Sequence, residues 1–275
     1  MSMDRLYDEI AQYYSRIDYF KIISSALTEA LNQLQKNEQF FKQPIELLDL
    51  GSGDGKMLEL IAAQNSHASL YAVDVSADML KLVKQRLPHV TTQHTGINKV
   101  NHFFPANRFD FVTASFVCAY VGLSVLLKQS HYLLKENGCF VFLTTTRQAF
   151  PNFQQQLDQF GNTSNVINQI IHFWIKKTLE NTLVPKDFTE IETTSKQNGF
   201  TIVDRHQLVT DVIFNNSHEI YEFGRKGGWA LSLLNYPLVP TRLLYKGALR
   251  ILNHLKYPLK DQIIVEVVTL KKNRI

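Results

Sequence analysis

The sequence predicts an α/β fold built on a doubly wound, mostly parallel sheet. Three observations predict it. Short apolar runs alternate with amphipathic stretches between residues 45 and 145, the order that crossover units of a parallel sheet require. The first run, 45–50, is nearly continuous in apolar residues, as suits a strand buried on both faces. A glycine-rich turn follows that run and leads into a helix. Right-handed crossovers then place helices on both faces of the sheet.

Residues 4–36 read as a helix, with apolar positions recurring at Leu6, Ile10, Tyr13, Tyr14 and Ile17 and again from Ile22 to Leu34. Residues 37–44 break it. Strands are predicted over 45–50, 70–75, 90–93, 109–116 and 139–145, with helices over 56–64, 77–87 and 123–134. Asn137-Gly138 reads as the C-cap of the last of these helices. Beyond residue 145 the pattern changes. Helices are predicted over 151–160, 166–183 and 186–198, a strand over 200–212, helices over 218–234 and 241–255, and a final strand over 263–270. The expected organisation is one domain, 1–275. It has a helical cap (1–43), a core (44–145), two helical insertions forming a lid (146–198 and 214–257) and the last strands (199–213 and 258–275).

The 275 residues carry a net charge of +4, with 45% hydrophobic and 20% charged residues, the composition of an ordinary globular protein. Two cysteines, Cys118 and Cys139, exclude a disulfide framework and a cysteine-rich zinc site. The nine histidines show no ligand spacing, so no metal is expected. No stripe of Lys and Arg is visible, so no nucleic-acid partner is expected. The first ten residues carry Asp4, Asp8 and Glu9 and lack an apolar leader, and no run is apolar enough to span a bilayer. These features point to the cytoplasm. The basic amphipathic stretch 243–255, with Lys246, Arg250 and the adjoining Lys256, allows a weak contact with a membrane surface.

The turn reads Asp49-Leu50-Gly51-Ser52-Gly53-Asp54-Gly55. In an open α/β sheet, ligands bind beyond the carboxyl ends of the strands. The dinucleotide pattern G-x-G-x-x-G fails here because Lys56 holds its last position, and the spacing of a phosphate-binding P-loop fails as well. Asp49 would repel a pyrophosphate and attract an ammonium or sulfonium group. Asp74 ends the second predicted strand, where a carboxylate accepts hydrogen bonds from ribose hydroxyls. Two acids beside a glycine turn fit a cationic nucleoside, S-adenosylmethionine.

With Asp74-Val75-Ser76-Ala77-Asp78-Met79-Leu80, the loop resembles that of class I S-adenosylmethionine-dependent methyltransferases. Phe109-Asp110-Phe111-Val112 and Leu133-Leu134-Lys135-Glu136-Asn137-Gly138 are similar to two further signatures of that family, in the same order. The segment Tyr7 to Tyr14 resembles the opening helix of small-molecule members such as the malonyl-carrier-protein and juvenile-hormone-acid O-methyltransferases. The resemblance implies a Rossmann-like, seven-stranded sheet. It implies that Gly51, Ser52, Gly53 and Gly55 line the cofactor, Asp49 faces its amino group and Asp74 its ribose. It further implies that Val75 and Met79 meet adenine, Ile97 and Asn98 lie near the adenine amino group, Ser115 ends the fourth strand beside the site, and Tyr14 closes over the methionine end. The product would be S-adenosylhomocysteine.

Methyl displacement needs positioning more than a dedicated base, so the fold dictates no catalytic residue. The fourth strand runs into Ser115-Phe116-Val117-Cys118-Ala119-Tyr120 and lacks the Asn/Asp-Pro-Pro-Tyr/Phe motif of many amino-group methyltransferases. Asn235-Tyr236-Pro237-Leu238 reads as a turn between helices. The insertions carry Phe173, Trp174, Tyr221, Phe223, Trp229, Tyr236 and Tyr245, which suits an apolar pocket under a lid. His172, His206 and Tyr221 are weak candidates for a base; Arg225 with Lys226 reads as a solvated helix end, and Cys118 as a buried thiol. The expected activity is methyl transfer to a small, apolar organic acceptor at oxygen. The alternatives are a non-methylating member of the fold, such as a cyclase, and a methyltransferase acting on a carrier protein or RNA.

Overall fold

The computed structural model describes residues 18–42, 44–226 and 241–273. Its strands are β1 Glu46–Leu50, β2 Ser69–Asp74, β3 Thr91–His94, β4 Phe109–Ser115, β5 Leu134–Thr145, β6 Phe200–Phe214 and β7 Leu259–Lys272. They form one sheet in the order β3-β2-β1-β4-β5-β7-β6. The first five strands are parallel, and β7 runs antiparallel between β5 and β6. The strand order reverses at β1, which pairs with β2 on one side and β4 on the other.

Early helices are α1 Ile22–Gln35, α2 Gln39–Lys42, α3 Lys56–Gln64, α4 Ala77–Arg86, α5 Cys118–Val121 and α6 Leu123–Leu133. Later ones are α7 Pro151–Gly161, α8 Val166–Glu180, α9 Phe188–Gln197, α10 Ser217–Lys226 and α11 Thr241–Leu252. Successive side chains of a strand point to opposite faces, and the core divides accordingly. Leu47 and Phe111 pack with α1, α3 and α4, while Leu48 and Val112 pack with α6 and α9.

Three predicted boundaries move. The helix expected over 4–36 breaks at Phe20 and Lys21, whose φ values are 55° and 56°. The Asp18 carboxylate accepts hydrogen bonds from the N–H groups of Ile23 (2.9 Å) and Ser24 (3.0 Å), and so starts α1 afresh. Residues 4–17, Tyr14 among them, lie outside the described residues. Asn137-Gly138 does not cap a helix. Helix α6 ends at Leu133, Leu134 already pairs with Phe109, and Asn137 (φ 61°) sits in the irregular stretch before Cys139 pairs with Phe111. That stretch is tied to the end of β7 by the Lys272 ammonium, which donates to Asn107 Oδ1 (2.7 Å), His131 O (2.7 Å) and Leu134 O (2.8 Å).

Strands β6 and β7 are also longer than predicted. Thr145, the last residue of β5, pairs with Val265, yet β7 begins at Leu259 and pairs with β6 as far as Phe214. The two strands thus continue as an arm past the carboxyl end of β5. Helix α7 is fixed to this arm. The buried Asp261 carboxylate accepts from the N–H groups of Asn152 (3.0 Å) and Phe153 (2.7 Å), and Asn152 Nδ2 donates to Lys260 O (2.7 Å). Replacing Asp261 with Ala is expected to lower the unfolding free energy by about 1–2 kcal/mol, the usual worth of an N-terminal cap. Urea unfolding at neutral pH measures this, and an unchanged midpoint would remove the cap from the account of how α7 is held.

Candidate functional site

The glycine turn leaves β1 at the point where the strand order reverses, and backbone hydrogen bonds strap it to β2. Gly51 N and Ser52 N both donate to Val73 O, at 2.8 and 3.0 Å. Gly51 has φ 71°, and a Cβ there would lie 2.3 Å from Val117 Cγ1, so only glycine fits. Gly55 has φ 82° and packs its Cα against Val83 of α4. Asp54 is buried in the turn and pairs with Arg86 at 3.0 Å, which binds the start of α3 to the end of α4.

Asp74 organises the other side of the turn. One carboxylate oxygen accepts from Gly53 N and the other from Ser76 N, both at 2.9 Å. A carboxylate offers about four acceptor positions, so the backbone donors leave room for a hydroxyl as well. Burial raises the Asp74 pKa, and the backbone hydrogen bonds oppose that rise. Ser76 caps α4 through Met79 N (3.1 Å), and Met79 is fully buried.

Asp49 is only 1% exposed. Its Oδ1 accepts from Thr113 Oγ1 at 2.8 Å, across the β1–β4 ladder that sets the two residues side by side. Burial raises its pKa from 3.8 to about 6; the Thr113 hydrogen bond works against the rise and the neighbouring Asp74 charge adds to it. A buried carboxylate held in this way favours an ammonium group as partner. Ser52 Oγ is enclosed and has no hydrogen-bond partner among the described residues. The donor set therefore fits a cationic aminoacyl nucleoside: a buried anion, a carboxylate with room for a hydroxyl, an orphaned hydroxyl and a turn without side chains.

The fourth strand completes the rim. Ser115 is half-buried at its tip, and Phe116 follows with φ 58°, an unusual conformation for an aromatic residue. The turn at Phe116 delivers Val117 onto Gly51, whose added Cβ would also come within 3.9 Å of Ile97 Cδ1. Thr113, Phe116 and Val117 were not singled out from the sequence. A polar residue inside the apolar run Phe111–Ala114, Thr113, is the available signal.

A family model described as a methyltransferase domain matches residues 19–193. The chain belongs to this family. Its fold is that of the class I S-adenosylmethionine-dependent methyltransferases, and S-adenosylmethionine is the family's methyl donor. Among curated proteins, it is 25% identical over 156 residues to a malonyl-[acyl-carrier protein] O-methyltransferase of Priestia megaterium, covering 53% of this chain and 55% of that one. It is 27% identical over 153 residues to a demethylmenaquinone methyltransferase of Staphylococcus haemolyticus, covering 54% of this chain and 63% of the relative. The chain thus spans little more than half the length of these curated relatives. A crystal structure described as a putative sarcosine dimethylglycine methyltransferase from Galdieria sulphuraria shares the fold, with TM-score 0.56, 11% identity and 98% of both chains covered.

The methyltransferase chain gathers Asp49, Gly51, Ser52, Gly53, Gly55, Asp74, Ile97 and Ser115 around one turn. Asn98 is exposed on a short 3₁₀ segment, and Val75 is exposed with its carbonyl bound by His94. The candidate bases are placed elsewhere. His172 packs over Gly161 and binds Asp158 at 3.1 Å, joining α8 to α7. His206 lies on the edge strand β6 and faces Glu29 of α1 at 3.8 Å; at the usual strand spacing it is about 14 Å from β4. Tyr221 is partly buried at the margin of the core. Burial pushes the Cys118 thiol up to about 12, so it is no nucleophile at neutral pH. Phe173 and Trp174 lie exposed on α8. Trp229, Tyr236 and the turn 235–238 lie outside the described residues, as does the side chain of Tyr245.

The folded pKa of Asp49, about 6, exceeds its ordinary value of 3.8. Folding therefore favours the protonated form, and the electrostatic penalty is full above pH ~6 and gone below pH ~4. Asp49→Asn is expected to raise the unfolding free energy of the ligand-free protein by about 2–3 kcal/mol at pH 8, since a tenfold change in proton affinity is worth about 1.4 kcal/mol. The gain should vanish near pH 4. A gain of the same size at both pH values, in thermal melts, would contradict the burial account.

Proposed function

We propose that this chain transfers a methyl group from S-adenosylmethionine to oxygen of a small, largely apolar organic acceptor. The observation that carries this is the pair of carboxylates, the buried Asp49 and the half-buried Asp74, on either side of a glycine turn at the switch point. S-adenosylmethionine supplies an activated methyl whose transfer needs an acceptor atom in line with the departing sulfur. Asp49 would take the amino group, Asp74 the ribose hydroxyls, and Gly51 to Gly55 the close approach of backbone to ligand.

The segments 146–198 and 214–257 are read as the lid over the acceptor. An aromatic cluster supports an apolar pocket there. Phe223 of α10 packs against Tyr19 (5.5 Å), Phe214 (5.3 Å) and Phe150 (6.0 Å), and Phe20 packs against Phe214 (5.6 Å). Arg147, just past β5, holds the loop after α8 by donating to Thr182 O (3.2 Å) and Val184 O (3.1 Å). The placement of His206 on the edge strand β6 and of His172 between α7 and α8 favours an acceptor that arrives already ionised, such as a carboxylic acid with an apolar tail, which needs no base. The O-methyltransferase among the relatives supports oxygen as the target.

Calorimetric titration with S-adenosylmethionine and S-adenosylhomocysteine tests the site, with NADH as control. Micromolar binding is expected at pH 8, weaker by about tenfold in Asp74→Asn, the worth of one charge-assisted hydrogen bond. Binding should also weaken below pH 6 as Asp49 takes up a proton. A folded protein that binds neither sulfur nucleoside overturns the reading. Isotope transfer from labelled donor to a panel of acids, phenols and amines tests the acceptor. Transfer to amines alone overturns oxygen, and tight binding with no transfer points to a non-methylating role.

A further inference from the structure

Helix α8 is apolar on two sides. Its inner side, with Ile171, Ile175 and Leu179, packs on the core. Its outer side presents Val166, Ile167, Ile170, Phe173 and Trp174, exposed by 63, 56, 53, 58 and 39%. These positions recur at helical spacing and make one stripe, where a helix facing water normally carries charge. Before Glu180 the helix has no acid, and its exposed cations are Lys176 and Lys177.

Helix α11 lies alongside. Arg250 Nε donates to Asn168 Oδ1 at 3.1 Å, and Gly247 packs near Ile171. Leu243 of α11 is 59% exposed, and Lys246 is exposed beside it. From residue 225 to 260 the sequence holds seven basic residues and no Asp or Glu. Within it, residues 227–240 are uncharged and mostly apolar. They are fewer than the ~20 residues a membrane span requires, and no helix among the described residues is long and apolar enough to cross a membrane.

We infer that the outer face of α8, with the exposed Leu243 and Lys246 of α11, seats on an anionic lipid bilayer. Aliphatic and aromatic groups enter the interface while the bordering cations meet anionic headgroups. A tryptophan on the seating face suits the headgroup level. The stripe is flanked by the uncharged Asn165 and Gln169, by Lys177 in line with it, and by Lys176, which pairs with Asp158 of α7 at 2.7 Å, so its border carries net positive charge that complements an anionic surface. Helix α8 leads from the seat toward the candidate site: the chain leaving its far end places Leu183 against Gly122, next to the loop that covers Gly51. Where the methyltransferase reading holds, the acceptor is then a lipid-dissolved molecule that enters from the bilayer.

Co-sedimentation with vesicles tests the seat without any catalytic step. The probes are vesicles of phosphatidylcholine alone and of phosphatidylcholine mixed with phosphatidylglycerol. The protein is expected to bind the mixed vesicles, more weakly at high salt. The double variant Ile170→Asp/Phe173→Asp should bind about a hundredfold more weakly, given the transfer free energy of two large apolar side chains. The variant Lys177→Glu/Lys246→Glu should bind about tenfold more weakly. All four positions are exposed, and retained S-adenosylmethionine binding certifies each variant's fold. Absence of vesicle binding, or binding that the substitutions leave unchanged, overturns the proposal. So does capture of a purified acidic carrier protein by this face in place of vesicles. Vesicle binding without methyl transfer to any membrane-dissolved acid would leave the seat standing and refute the carboxylic-acid acceptor of the proposed function instead.

Discussion

A carboxylate almost shut off from water, at the tip of a strand that is itself shut off, is the constraint around which this structure is arranged. Asp49 is where it is because β1 is buried on both faces, so its register against β2 and β4 is fixed by apolar packing. The same register brings Thr113 beside it and Asp74 across the turn. The folded chain holds a charge that its surroundings disfavour, and that unfavourable charge is what a cationic ligand would relieve. Stability is given up at the point where binding strength is to be gained.

The two ends of the sheet are used differently. At the end away from the glycine turn, Lys272 stitches β7 to the irregular stretch before Cys139 through three oxygen acceptors. At the other end, β6 and β7 run on alone and carry α7 on the Asp261 carboxylate, while Arg147 holds the loop after α8. One end is closed by hydrogen bonds inside the domain. The other is an open rim on which additional helices can be mounted.

Sequence reading recovers elements wherever a single local rule decides. The helix Lys56–Gln64 is read to the residue because a glycine turn opens it and its apolar face is regular. Strands β1, β2, β4, β5 and β7 are visible as apolar runs, whereas β3, with Thr91-Thr92-Gln93-His94, is weak, and the two acids at strand ends mark the candidate site. The misses share a cause, which is a partner distant in the chain. Nothing in the periodicity of residues 4–36 reports that Asp18 caps a new helix at Ile23. The end of α6 depends on Lys272, far along the chain, and the length of β6 depends on β7. Aromatic residues mislead most. Phe173 and Trp174 have the composition expected of a pocket lining, but which side of α8 faces the core depends on α7 and α11.

The arm built by β6 and β7 has a further consequence for how such a protein can change over time. The helices inserted between β6 and β7 leave and re-enter the sheet at one rim, where Phe214 pairs with Leu259, so a lineage can replace that insertion without altering the register of a single strand pair. The parts that handle the nucleoside and the parts that meet the acceptor then diverge at separate rates. That separation is consistent with a family match that runs over residues 19–193 and stops before this insertion. Novelty in such a scaffold is local: it collects where the strands stop.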